Sequence, residues 1–193
     1  MVREVTFKVY QFDELSEEVK EKVLDDNRYV AVDYFDWYCD VYSDAEEIGF
    51  KIEEFDLYRK YIKVRLNTSV LDSIEKAMEY FSNDSKPFTI AKSYYDEIMK
   101  LKDSEEVKEY LEENPDDDPY DAIYNMSLDD KFYDEYVNDM KWVFLELLED
   151  EFNYLTSDEF IIDMFEANDY DFFETGKVFY EREFVSNNEL KVI

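Results

Sequence analysis

The feature that most constrains this chain is its charge. It holds 52 Asp and Glu against 21 Lys and Arg, with no histidine, for a formal net charge of −31 over 193 residues. Self-repulsion on this scale works against any compact state. A chain so charged and poor in large apolar residues would stay disordered. This one carries 16 Phe, 18 Tyr and 2 Trp, enough for a sizeable core. A folded acidic protein is therefore expected, its aromatic interior offsetting the repulsion at its surface.

Composition removes several chemistries. Without histidine there is no Ser-His-Asp triad, no Cys-His dyad and no imidazole metal ligand. The single cysteine, Cys39, allows neither an intrachain disulfide nor a multi-Cys zinc site. Beside Trp37 and Tyr38 it reads as a small core residue. Gly49 and Gly176 are too few glycines for a P-loop or a dinucleotide fingerprint. No apolar run approaches membrane-spanning length. The opening Met1-Val2-Arg3-Glu4-Val5-Thr6-Phe7 lacks the apolar core and cleavage site of a signal peptide, so a cytoplasmic location is expected, with no membrane partner. Asp116-Asp117-Asp118 offers oxygen ligands to a divalent cation, but without EF-hand spacing the stretch reads as an acidic loop, and no metal or cofactor is expected. Carboxylate pairs of the glycosidase kind always occur among 52 acids and carry no specificity. The chain is not expected to be an enzyme.

Periodicity predicts an α+β fold: one domain over 1–193, a small antiparallel sheet covered by helices, and a helix-rich C-terminal half. Residues 4–10 alternate as a strand does. Ser16 is placed to cap a helix over 17–31 with Val19, Val23, Leu24 and Val30 inward, and a second helix over 34–48 ends at Gly49. Residues 50–58 and 61–66 read as two strands carrying Lys51, Arg59, Lys60, Lys63 and Arg65, the least acidic stretch. Ser69 with Asp72 has capping-box spacing for a helix to Phe81, followed by a loop at 83–87. Helices are expected over 89–102 and 105–113. Asp118 with Pro119 is a restart signal after the break at 114–119, the candidate hinge. Ser127 with Asp130 and Thr156 with Glu159 have capping-box spacing, the latter supported by a Leu155–Phe160 staple. The tail suggests a hairpin turning at Thr175-Gly176. The sheet is expected to join N-terminal, central and C-terminal strands.

The acids are unevenly spread. Residues 1–100 hold 14 bases and 23 acids, net −9, whereas 101–193 hold 7 and 29, net −22. Trp142, Leu145, Leu148 and Phe152 share one helical face, with Glu146, Glu149 and Asp150 on another. Like charges at such spacings cost a helix about 0.2–0.5 kcal/mol per pair, so repeating them does not serve helix stability. One reading is a solvated face that keeps the protein soluble. The other is an array of carboxylates standing in for nucleic-acid phosphates, prearranged on helices to fill a Lys- and Arg-lined groove. The residues expected to meet such a partner are Asp116, Asp117, Asp118, Asp130, Asp134, Glu146, Glu149, Asp150 and Glu151. Direct binding of nucleic acid is not expected, because the same charge repels phosphates.

Two stretches carry a resemblance. Lys8-Val-Tyr-Gln-Phe-Asp-Glu-Leu-Ser-Glu-Glu-Val-Lys-Glu-Lys-Val resembles the opening of a family of small acidic phage and prophage proteins. Trp142-Val-Phe-Leu-Glu-Leu-Leu-Glu-Asp-Glu-Phe-Asn-Tyr-Leu-Thr-Ser-Asp-Glu, continuing from Glu166 to Lys177, resembles their closing segment. Members are sometimes labelled toxin–antitoxin components. The resemblance covers about the first 50 and last 50 residues. The family's middle segment is replaced here at 55–70, and the family supplies no catalytic residues to carry over. What the resemblance implies is a phage context, in which acidic decoys against restriction and CRISPR systems are a known strategy. The expectation is a phage-encoded inhibitor of a host DNA-targeting defence (anti-CRISPR or antirestriction). It would act in the host cytoplasm by covering the groove of a basic nuclease or nucleic-acid-binding effector. The alternative is an antitoxin that neutralises a basic toxin.

Overall fold

The computed structural model describes residues 6–126 and 130–180, with the backbone alone for Asp130 and Lys131. Among these residues the order is α1 (Glu17–Asn27), α2 (Val30–Tyr34), α3 (Cys39–Glu47), β1 (Phe50–Asp56), β2 (Tyr61–Leu66), α4 (Val70–Tyr80), α5 (Lys86–Lys102), α6 (Glu105–Glu113), α7 (Pro119–Asn125), α8 (Asp130–Leu155) and α9 (Asp158–Ala167). The fold is α+β, with a helix-rich C-terminal half among the described residues. By its internal packing the chain groups into two compact units: residues up to Trp37 together with those from Glu151, and Tyr38–Asp150. The boundaries do not fall at the candidate hinge, which lies inside the second unit.

That second unit begins with α3, whose buried Val41 and Ala45 recur at helical spacing. Gly49 follows at φ +85°, where any Cβ would stand 2.3 Å from Thr68 Cγ2; only glycine turns the chain so tightly into the sheet. β1 and β2 pair antiparallel, Phe50 opposite Leu66 and Phe55 opposite Ile62, with a bulge between Ile52 and Glu54. The extra residue, Glu53, is exposed like its neighbour Glu54, so the inward phase moves from Phe50 and Ile52 to Phe55. Ser69, Ser85 and Ser104 cap α4, α5 and α6, each hydroxyl accepting a backbone N–H three residues on. The Ser69 capping box is half built: Asp72 accepts from Thr68 Oγ1 at 2.7 Å rather than turning back to the cap. The expected loop at 83–87 is shorter than predicted, because Ser85 starts α5 and Pro87 sits in its first turn, where a missing N–H costs nothing.

The inner face of α8 holds this unit together. Phe132, Tyr136, Met140, Phe144 and Leu148 are buried at spacings of four. The Phe50 ring meets Tyr136 at 5.8 Å and Phe144 at 5.3 Å. Ser73 is the buried polar residue here, its hydroxyl donating to the Ile48 carbonyl at 2.6 Å and lying 3.1 Å from the Tyr136 hydroxyl. Trp142, expected inward with Leu145 and Leu148, is 47% exposed, with the Lys141 ammonium 4.8 Å over its ring.

In the first unit, α1 and α9 pack around Leu15, Val23, Ile161, Phe165 and Phe172. Helix α1 ends at Asn27, short of the expected 31; after a turn the chain restarts as α2. The expected N-terminal strand does not form at 6–9, where Thr6, Phe7, Lys8 and Val9 are exposed and bury no face; residues 4 and 5 lie outside the described residues. Tyr10 instead makes one isolated bridge to Phe172, which bridges Val178 across a turn at Gly176, φ +82°. Among the described residues the sheet is therefore the central pair alone. The predicted cap at Thr156 moves by one residue. Ser157 Oγ accepts the Phe160 N–H at 3.2 Å, while the Thr156 hydroxyl donates back to the Phe152 carbonyl at 2.8 Å. The Ser127 cap lies outside the described residues. Cys39, expected in the core, is exposed at the start of α3.

Candidate functional site on the acidic surface

The nine nominated carboxylates do not form one set. Asp118 caps α7, accepting from Tyr120 N at 2.7 Å and Asp121 N at 2.9 Å, while Asp121 closes the capping box with the Asp118 N–H at 3.3 Å. Asp117 accepts from the Tyr110 hydroxyl and from Asn125 Nδ2, both at 3.0 Å. These two acids tie the loop between α6 and α7, so the stretch read as a hinge is a capped turn. The Asp117 carboxylate beside it holds the Tyr110 phenol above its ordinary range. Asp116, just before them in the chain, is exposed.

On α8 the expected face is divided. Glu146 pairs with Lys86 and Glu149 with Lys60. Asp134 and Asp150 are exposed and stand in no ion pair or hydrogen bond among the described residues. The Asp130 side chain lies outside the described residues, and Glu151 belongs to the other unit. Four of the five bases at 51–65 meet acids, Arg59 reaching Asp56 at 3.6 Å and Lys60 pairing with Glu149 as above. Lys63 reaches Glu53 at 2.8 Å and Arg65 reaches it at 3.9 Å. The Lys63 hydrogen bond and charge hold the Glu53 carboxyl below its ordinary range. Much of what reads as acid surplus near the sheet is thus locally compensated.

Compensation fails on α6, which was not nominated. Its buried anchor is Val107, with Tyr110 and Leu111 half-buried, so the helix presents Glu105, Glu106, Glu109, Glu112 and Glu113 to solvent. At 100° per residue these five fall within an arc of about 120°. Lys108 takes Glu105 at 2.9 Å. Among the described residues the other four have no basic partner. The signal was in the sequence: five glutamates in nine residues with a single lysine.

No group of three or more His, Cys, Asp or Glu among the described residues is arranged to hold a metal ion. No helix among them is long and apolar enough to cross a membrane. Compared with known proteins, the chain matches no family model, no curated protein and no solved structure.

Proposed function

We propose that this protein is a phage-encoded inhibitor of a host DNA-targeting defence. It would act in the host cytoplasm by seating its unpaired carboxylates in the basic groove of a nuclease or other nucleic-acid-binding effector. The observation that carries the reading is the outer face of α6. Glu106 to Glu113 place four carboxylates with no basic partner among the described residues along about 10.5 Å of helix axis, and one DNA strand sets about three phosphates over the same length. A rigid helix holds that spacing before binding, so little order is lost when the groove closes on it. The resemblance of the two ends of the chain to phage acidic proteins supports the setting.

The test is a titration against a panel of restriction nucleases and CRISPR effectors. One member should lose cleavage at a one-to-one ratio, with excess duplex DNA restoring it. Inhibition far below one-to-one, inhibition indifferent to added DNA, or no inhibited member would defeat the proposal. The protein itself should not retain duplex DNA on a filter, even at low salt where attraction to phosphates is strongest; micromolar retention would count against it.

A further inference from the structure

The first unit contains a cavity of about 240 Å³ that the acidic face of α6 does not involve. Its aromatic wall is Phe12, Phe165 and Tyr170. The Phe165 ring stands between the other two, its centroid 5.5 Å from Phe12 and 5.6 Å from Tyr170. The polar rim is Gln11 with three carboxylates, Asp13, Glu166 and Asp169, all exposed. Among the described residues none of these carboxylates has a basic partner. Glu14, the neighbouring acid, accepts the Gln11 N–H at 3.0 Å.

Local structure sharpens the negative potential. Glu166 and Asp169 lie where α9 ends. The Asp169 N–H donates to the Glu166 carbonyl at 3.3 Å and the Tyr170 N–H to the Phe165 carbonyl at 3.0 Å, a Schellman closure that brings the Tyr170 ring back beside Phe165. The helix C-terminus adds its own partial negative charge. Such a rim favours a cation over a neutral or anionic group, and ring faces attract cations as well. The cavity is smaller than the roughly 300–1,000 Å³ clefts that take drug-sized ligands, which fits a single side chain.

We infer that the cavity bounded by Phe12, Phe165 and Tyr170 receives an arginine side chain of a partner protein. The planar guanidinium would stack against the half-buried Phe12 or Tyr170 ring, Phe165 being the buried floor behind them, while its N–H groups donate to the rim carboxylates. Arginine is favoured over lysine because it stacks, forks and sheds water more readily. This site is separate from the α6 face and does not rest on the proposed inhibition.

The experiment uses the whole protein and a capped Gly-Arg-Gly peptide at high salt, where general attraction to an acidic surface is screened. The readout is NMR of the Phe12, Phe165 and Tyr170 rings and the Gln11 side-chain amide. Saturable shifts at these groups are expected, weaker with a lysine peptide and absent with the neutral citrulline peptide. Neutralising the rim with Asp13→Asn and Glu166→Gln should weaken binding roughly tenfold. Equal shifts from the citrulline peptide, shifts spread over the whole acidic surface, or undiminished binding by the double variant would each overturn the inference. The arginine-against-citrulline comparison needs no variant to fold. No nuclease is present, so this result and that of the inhibition assay fail separately.

Discussion

Helices α6 and α8 both present acids to solvent, yet the two surfaces differ in kind. On α8, Glu146 and Glu149 meet Lys86 and Lys60, bases 60 and 89 residues away in sequence. On α6, Glu106, Glu109, Glu112 and Glu113 meet none among the described residues. A count of acids therefore overstates the free charge of α8 and ranks α6 too low. Charge left uncompensated in the free protein is charge available to a partner, and the comparison can be tested from both sides.

The largest expected effect is on target binding. Changing Glu106, Glu109 and Glu113 together to Gln removes three charges while keeping size and helix propensity. At about 1.5 kcal/mol for each charged contact, affinity should fall about a thousandfold, with a shallower salt dependence. Glu146→Gln with Glu149→Gln should cost less than about threefold, since those charges are already spoken for. Equal losses in a calorimetric titration would erase the distinction between the helices.

Next in size is the alkaline response of the inner face of α8. Burial pushes the Tyr136 phenol up to about 12. Its folded value lies above its unfolded value near 10. The stability it contributes is therefore complete below about pH 10 and lost as pH rises toward 12. A shift of that size corresponds to about 2–3 kcal/mol. Tyr94 moves in the same direction, through burial and then Asp139. Denaturant melts across this window should show a smaller loss for Tyr136→Phe than for the parent. A pH-independent difference between the two would mean that Tyr136 is not the group titrating.

A third effect separates acids that build from acids that are free. Asp118→Ala should lower stability by about 1 kcal/mol through loss of the α7 cap, with Asp118→Asn close to the parent. Asp116→Asn should leave the melting temperature unchanged. If Asp118→Ala melts like the parent, the cap contributes nothing to the turn.

The smallest effect has opposite signs on the two helices. The α6 triple variant should gain about 0.5–1 kcal/mol as like-charge pairs disappear. Lys60→Met with Lys86→Met should lose a few tenths to about 1 kcal/mol as exposed pairs are broken. Added salt should compress both differences. Two shifts of the same sign in chemical melts would contradict the assigned pairing.

Local chemistry carried most of what the sequence made legible. Ser69, Asp118-Pro119, Gly49 and the central strand pair were readable because caps, turns and alternation are decided within a few residues. The cap near 156 shifted to Ser157 because both neighbours can cap, and the choice turned on whether Thr156 bonded back to Phe152. The N-terminal alternation misled because a strand also needs a partner and a face to bury, and 6–9 has no buried face. The site was legible only in part. Acid density along the chain is visible, but pairing such as Glu149 with Lys60 depends on contacts made by folding. The glutamates from Glu105 to Glu113 stand together in the sequence, but a net charge summed over the whole C-terminal half does not single them out.

The Ser73–Ile48–Tyr136 link bears on uniqueness more than on strength. An apolar core of Phe, Leu and Ile tolerates a helix rotated slightly about its own axis, because greasy surfaces fit one another in several ways. A buried hydroxyl pair does not. Turning α8 by one residue, about 100°, would carry the Tyr136 hydroxyl away from Ser73 and strand it in the interior at about 1–3 kcal/mol. The link therefore works as an azimuthal key. By fixing where Tyr136 points, it fixes where Glu146 and Glu149 point ten and thirteen residues later, and so which acids on α8 can reach a lysine at all.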